Sequence, residues 1–191
     1  MSKVLVITFS NLKSDNRVKR QLTFLQSLGF AITVASNDGY TPQGVSSVKL
    51  KPLNLSTSKK IKSGILLLLR FYSTAYQNLY GHTLPISEIF DLIIANDIEA
   101  LPLAFALKGK AKLMGDAHEY APRHFEDRLS WRIFFQDFNR FLCKKYIPKV
   151  DGMITVGQLI ADEYLKNYGV KPILITNAPD YVELNATKTN P

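Results

Sequence analysis

Short aliphatic or β-branched runs alternate along this chain with longer stretches of helical period, and that alternation limits the fold more than any other feature. Val4 to Phe9, Ala31 to Ser36, Val48 to Leu53, Asp91 to Ala95, Ala111 to Met114, Gly152 to Val156 and Pro172 to Thr176 read as strands. Arg17 to Leu28, Lys59 to Tyr80, Ile98 to Leu107, Trp131 to Tyr146 and Leu159 to Tyr168 read as helices. Strands that alternate with helices of this length build βαβ units, so the expected class is α/β: a Rossmann-like parallel sheet with helices on both faces. A length of 191 residues suits one such domain, taken as residues 1–181, followed by a polar tail over 182–191.

Local signals support several of these helices. Asp15 or Asn16 is placed to cap the first, Val18, Leu22, Leu25 and Leu28 recur at helical spacing, and Gly29 suits a left-handed close. In the helix from Trp131, Phe134, Phe135, Phe138, Phe141, Leu142 and Tyr146 form an aromatic stripe that reads as core, and Pro148 stops it. The segment from Lys59 has one complete apolar face in Ile61, Ile65, Leu68, Tyr72, Ala75 and Leu79 and a second in Leu66, Leu67 and Phe71. With Lys59, Lys60 and Lys62 beside it, this is the composition of an interfacial membrane helix. It equally suits a helix packed between the sheet and its neighbours, which is preferred because parallel sheets need covering helices.

The formal charge of +8 lies wholly in the first half: residues 1–90 hold 11 Lys/Arg and 3 Asp/Glu, residues 91–191 hold 13 of each. Such asymmetry suits a surface that meets phosphate, on nucleic acid or an anionic membrane, as well as a merely soluble basic face. No nucleic-acid partner is expected, because the basic residues are not interleaved with aromatics in a recognition motif. One cysteine, Cys143, leaves no internal disulfide, and Met1 to Ile7 runs directly into a strand without the apolar region of a signal peptide, so a cytoplasmic setting is expected.

Polar clusters at or just after the strand ends would converge on one rim of a parallel sheet: Ser10 to Arg20, Asn96 to Glu99, Asp116 to Arg123, and Asn177 to Asp180. Asp97 reads first as a helix cap. His118 stands out because carboxylates flank it at a strand end, where an imidazole can hold a proton, a hydroxyl or a charged intermediate. Other chemistries lack their patterns. Ser10-Asn11-Leu12-Lys13 is neither a dinucleotide fingerprint nor a phosphate loop, no Gly-x-Ser-x-Gly elbow exists, and three histidines in no zinc-protease pattern argue against a bound metal.

Taken in order, Asp15-Asn16-Arg17-Val18-x-Arg20, Ala95-Asn96-Asp97, Asp116-Ala117-His118-Glu119, Asp151 to Val156, and Thr176 to Tyr181 make the chain resemble the amino-terminal half of a family-four glycosyltransferase of the GT-B type. That resemblance implies transfer of a sugar from a nucleotide-sugar donor to a glycan or lipid-linked acceptor, with retention, in a cleft between two Rossmann-like domains. It implies His118 as the catalytic residue beside the transferred sugar. Asp15, Asn16, Arg17, Asp97, Asp116, Glu119 and Arg123 are implied on the acceptor side. No cofactor and no metal are implied, the nucleotide-sugar being a substrate. The expected partners are a carboxy-terminal donor-binding domain, without which this part is inactive, the acceptor, and the surface of an anionic membrane. The alternative is a non-catalytic Rossmann-like module that binds a partner or an anionic membrane.

Overall fold

The computed structural model describes residues 1–50, 56–81, 84 and 88–178. Seven strands form one parallel sheet: β1 (Lys3–Ile7), β2 (Ala31–Ser36), β3 (Ser46–Lys49), β4 (Leu92–Asn96), β5 (Lys112–Ala117), β6 (Gly152–Thr155) and β7 (Ile173–Leu174). Their spatial order, β3-β2-β1-β4-β5-β6-β7, reverses direction between β1 and β4. The expected α/β class and Rossmann-like sheet are therefore observed. Residues 51–53 of the expected third strand, Pro179 and Asp180 of the last polar cluster, and the stretch 181–191 lie outside the described residues.

Strand alternation divides the core into two layers. Val4, Val6, Ile32, Val34 and Ile94 face the layer that contains α1 (Asn16–Ser27), where Val18, Leu22 and Leu25 cover them. Leu5, Ile7, Ile93, Ala95 and Leu113 face the other layer, built from α2 (Thr57–Leu68), α3 (Tyr72–Tyr80), α4 (Leu101–Leu107) and the helical run from Leu129 to Tyr146. α7 (Gln158–Tyr168) joins it through Tyr164. Strands buried on both faces are what a parallel sheet requires.

α1 begins as the sequence suggests: Asp15 is its cap, accepting from the Val18 N–H at 3.1 Å. It ends with Phe30 N–H bonded to Leu25 C=O and Gly29 N–H to Gln26 C=O. Gly29 sits between them at φ +80°, the left-handed position of a Schellman close.

Three expectations need correction. Lys59 to Tyr80 is two helices, α2 and α3, because the chain reverses at Arg70, which takes φ +60° in the role glycine fills at the end of α1. The stripe of Ile61, Ile65 and Leu68 consequently does not continue into Ala75 and Leu79; α3 turns Ala75, Tyr76 and Leu79 inward, whereas α2 buries Ser63 and Leu67 and leaves Ile61, Ile65 and Leu68 in solvent. The helix from Trp131 begins two residues earlier and is irregular, running α5 (Leu129–Trp131), a π-helical stretch over Arg132–Gln136, then α6 (Asp137–Tyr146). Its aromatic stripe is core, with Phe138 and Leu142 buried and Phe134, Phe135, Phe141 and Tyr146 packed against them.

Candidate functional site

The strand order reverses between β1 and β4, and in an open parallel sheet the crevice beyond the carboxyl ends at such a point is where ligands bind. On the α1 side of the sheet, alternation carries the apolar series Val6, Ile94 and Met114 two residues further to Thr8, Asn96 and Asp116. The face therefore changes from hydrocarbon to hydrogen-bonding groups at the rim. β5 continues through Gly115, Asp116 and Ala117 rather than ending at Met114, so Asp116 is a buried strand residue and His118 the first residue of the loop.

A connected chain of polar side chains lies there. The Asn96 amide donates to Gln21 Oε1 at 3.1 Å and to the Ile7 carbonyl at 3.4 Å, and Gln21 Nε2 donates to Asp116 Oδ2 at 3.0 Å. The second Asp116 oxygen lies 2.8 Å from His118 Nε2. That contact is close but off the line of the ring N–H, which leaves this buried nitrogen without an aligned partner. With only 5% of Asp116 exposed, its carboxylate depends on Gln21 for the hydrogen bond that water would otherwise give, and its second oxygen lies against the imidazole. In return it fixes how the ring is presented. His118, its side chain 16% exposed, is neither sealed in hydrocarbon nor at the amino ends of the strands.

Asp97, expected as a helix cap, makes no capping bond. Its carboxylate pairs with Arg17 Nη2 at 3.3 Å, and its N–H donates to the Asp116 carbonyl at 2.8 Å. Its backbone, at φ +65° and ψ +162°, occupies a region that is almost glycine-only and costs about 1–3 kcal/mol. The bonds from Asp116 and Arg17 hold it there. Two residues on, Glu99 is pushed up to about 7, first by burial and then by the charge of Asp97.

Beside this cluster the loop from Ser10 to Arg17, with Arg20 and Asn177, lines an open pocket of about 560 Å³, a size that suits a small ligand. Burial raises the Asp15 carboxyl, but the Ser10 hydroxyl, the Val18 N–H and the Arg17 charge outweigh it, and the group ends below its usual value. Arg17 belongs to both places, lining the pocket and pairing with Asp97, and its Nε is buried without a partner. The first turn of α1 adds backbone N–H groups and the positive end of the helix dipole, so the pocket favours an anion or a hydroxyl-rich group.

Of the expected site residues, Asp97, Asp116, His118 and Arg17 come together, and Asp15 and Asn16 line the adjoining pocket. Glu119 and Arg123 do not join them. Glu119 is exposed and uses its carbonyl to accept from the Tyr164 hydroxyl, and Arg123 is exposed in a two-bond pair with Glu126 at 2.5 and 2.7 Å. Gln21, which ties Asn96 to Asp116, was not anticipated. Among the described residues no three His, Cys, Asp or Glu side chains converge to hold a metal ion.

Comparison with known proteins gives the class. No protein-family model matches the chain, and no curated protein matches it significantly. Solved structures do. Sucrose-phosphate synthase from Thermosynechococcus elongatus superposes at a TM-score of 0.58 and 14% identity over 92% of this chain and 48% of its own. A second structure of that enzyme gives 0.52 and 16%, covering 94% and 91%. UGT2 of Phytolacca americana gives 0.51 and 8%, covering 96% and 53%. The chain thus spans about half of the first and third of these. Its fold is that of one Rossmann-like half of these GT-B structures.

Proposed function

We propose that this domain is the acceptor side of a retaining, family-four-like glycosyltransferase, which moves a sugar from a nucleotide-sugar to a glycan or lipid-linked acceptor once a carboxy-terminal donor-binding domain completes the cleft. The observation that carries this reading is the rim cluster: an imidazole oriented by a buried carboxylate, next to an Arg–Asp pair on strained backbone, where the strand order reverses. Glycosyl transfer builds positive charge on the sugar ring while a diphosphate departs. Fixed dipoles and charges around such a centre lower its barrier without a metal or an organic cofactor.

In this reading His118, held by Asp116, faces the transferred sugar. Arg17 and the first turn of α1 face the phosphate side, Asp97 holds acceptor hydroxyls, and Asp15 fixes the loop that carries Asn16 and Arg17. The setting is cytoplasmic, at the inner face of a membrane. Three observations support the assignment: the GT-B half-fold, the convergence of four expected residues, and an adjoining pocket with two guanidinium groups.

The test is sugar transfer by this domain joined to its donor-binding half, read as turnover and as the anomeric configuration of the product by NMR. His118→Ala should lower turnover about 100-fold or more while leaving the unfolding midpoint within a few degrees. Near-normal turnover would reject the role of His118, an inverted product would reject retention, and no transfer at all by the unaltered joined enzyme would leave a non-catalytic binding module.

A further inference from the structure

Helical geometry separates the outward face of α2 from its core side. With 3.6 residues per turn, Ser63 and Leu67 mark the side turned to the core, and Ile61, Ile65 and Leu68 lie on the opposite side. These three, with Leu69 and Phe71 just past the helix end, are each more than half exposed. Lys60 and Lys62 fall on either flank of that stripe, with Lys59 at its start, all exposed. From Gly39 to Ser87 the sequence contains six Lys/Arg and no Asp or Glu. Among the described residues none of Lys59, Lys60 and Lys62 is in an ion pair.

We propose that α2 is the docking face for an anionic lipid bilayer, with Ile61, Ile65 and Leu68 in the boundary between headgroups and acyl chains and the flanking lysines at lipid phosphates. An apolar stripe with cations on both edges is the arrangement that binds such an interface, where lysine stems reach along the apolar zone and ammonium groups meet phosphate. A second copy of this chain fits the charges poorly, since a two-fold contact would bring two lysine-bearing faces together, with Asp137 beside them already paired with Arg70. The helix lies on the bilayer rather than through it, because no described helix is long and apolar enough to cross a membrane.

Position links this face to the site. Asn78 Nδ2 donates to the Lys59 carbonyl at 3.1 Å and to Ser63 Oγ at 2.6 Å, and Tyr80, two residues further, stacks on Phe9 just beyond β1 with centroids 5.4 Å apart. The lysine end of α2 is therefore on the same rim as Asp97 and His118. A bilayer against α2 brings its surface level with the cleft, where a lipid-linked acceptor would enter; only this last step rests on the transferase reading.

Cosedimentation of the purified full chain tests the docking without any activity measurement. One vesicle set is phosphatidylcholine alone and the other contains about one-third phosphatidylglycerol, each at about 0.05 and about 0.5 M salt. The chain should pellet with anionic vesicles at low salt and about tenfold less with neutral vesicles or at high salt. I65S/L68S and K59Q/K60Q/K62Q should each lower the bound fraction about tenfold while thermal melting by circular dichroism stays unchanged, because these side chains are all exposed. Absence of vesicle binding, binding indifferent to both variants, or a dimer in sedimentation velocity that I65S/L68S dissolves would each overturn the proposal. No docking by the unaltered chain, with His118-dependent transfer to a water-soluble acceptor intact, would refute the membrane face alone.

Discussion

α1 and α2 are both twelve residues long, both capped by a side-chain oxygen, and both closed by the same pair of backbone bonds around a left-handed residue, yet they do opposite things with their apolar side chains. α1 places Val18, Leu22 and Leu25 under the sheet and keeps Arg17 and Gln21, one turn apart, for the rim, where they reach Asp97 and Asp116. α2 buries little besides Leu67 and Ser63 and leaves its longest aliphatic stripe in solvent. An apolar stripe thus reports that a helix meets something apolar, without reporting that the something belongs to the same chain.

The largest expected effect that separates the two helices is on stability. Leu22 is 1% exposed in the α1 layer, and Leu22→Ala should cost about 3 kcal/mol through lost transfer energy and the cavity left behind. Ile65→Ala, on the solvent side of α2, should change stability by less than about 0.5 kcal/mol. Urea unfolding of both variants measures the difference. Equal losses would mean that the outward face of α2 is packed in the free protein, and the contrast would fail.

How much of this was legible follows from what each feature needs locally. Strands of a parallel sheet need only aliphatic runs between turn signals, so all seven were visible, with most ends one or two residues off; β3, an exposed edge strand, begins two residues earlier than expected and ends at Lys49, and β5 runs three residues further. β5 was cut short because Gly115 and Asp116 suit a loop by propensity, whereas pairing of Asn96 with Asp116 and of Ala117 with Thr155 keeps them in the sheet. The Asp116–His118 contact was readable in principle, since residues two apart on an extended chain share a face. Gln21 carried the spacing signal of Arg17, four residues earlier, but nothing in the sequence said that this face of α1 would overlie Asp116. The strain at Asp97 left no trace, because a non-glycine residue at positive φ is held there by tertiary bonds, and the break at Arg70 left none because no glycine marks its left-handed turn.

The caps sharpen the comparison at a smaller scale, since α1 is capped by an acid and α2 by Ser56. The folded Asp15 carboxyl sits below its ordinary value of 3.8, so its contribution is complete above that value and is lost as the pH falls through the lower folded one. Asp15→Ala should cost about 1–2 kcal/mol at neutral pH, less near pH 3, with the loss concentrated in hydrogen exchange of α1 amides. Ser56→Ala should cost less, as its bond to the Lys59 N–H is 3.4 Å long and exposed, and should not change with pH over that range. A pH-independent Asp15→Ala penalty would show that Asp15 acts through packing of the loop rather than as a charged cap.

The smallest effects come from the two left-handed closures, and they should have opposite signs. A Cβ at Gly29 would meet nothing within 4 Å, so Gly29→Ala costs only the conformational strain of φ +80°, about 1 kcal/mol. Arg70 already bears such strain, and Arg70→Gly should gain about 0.5 kcal/mol despite the greater freedom of glycine in the unfolded chain. What it gives up is the Arg70–Asp137 pair at 3.5 Å, whose partners are largely exposed and contribute little. Melting temperatures of the two variants decide the matter. If Arg70→Gly lowers the midpoint instead, the pair with Asp137 is what anchors the end of α2 to α6, and the outward tilt of the Ile61–Leu68 stripe is imposed by that charge contact rather than by the turn.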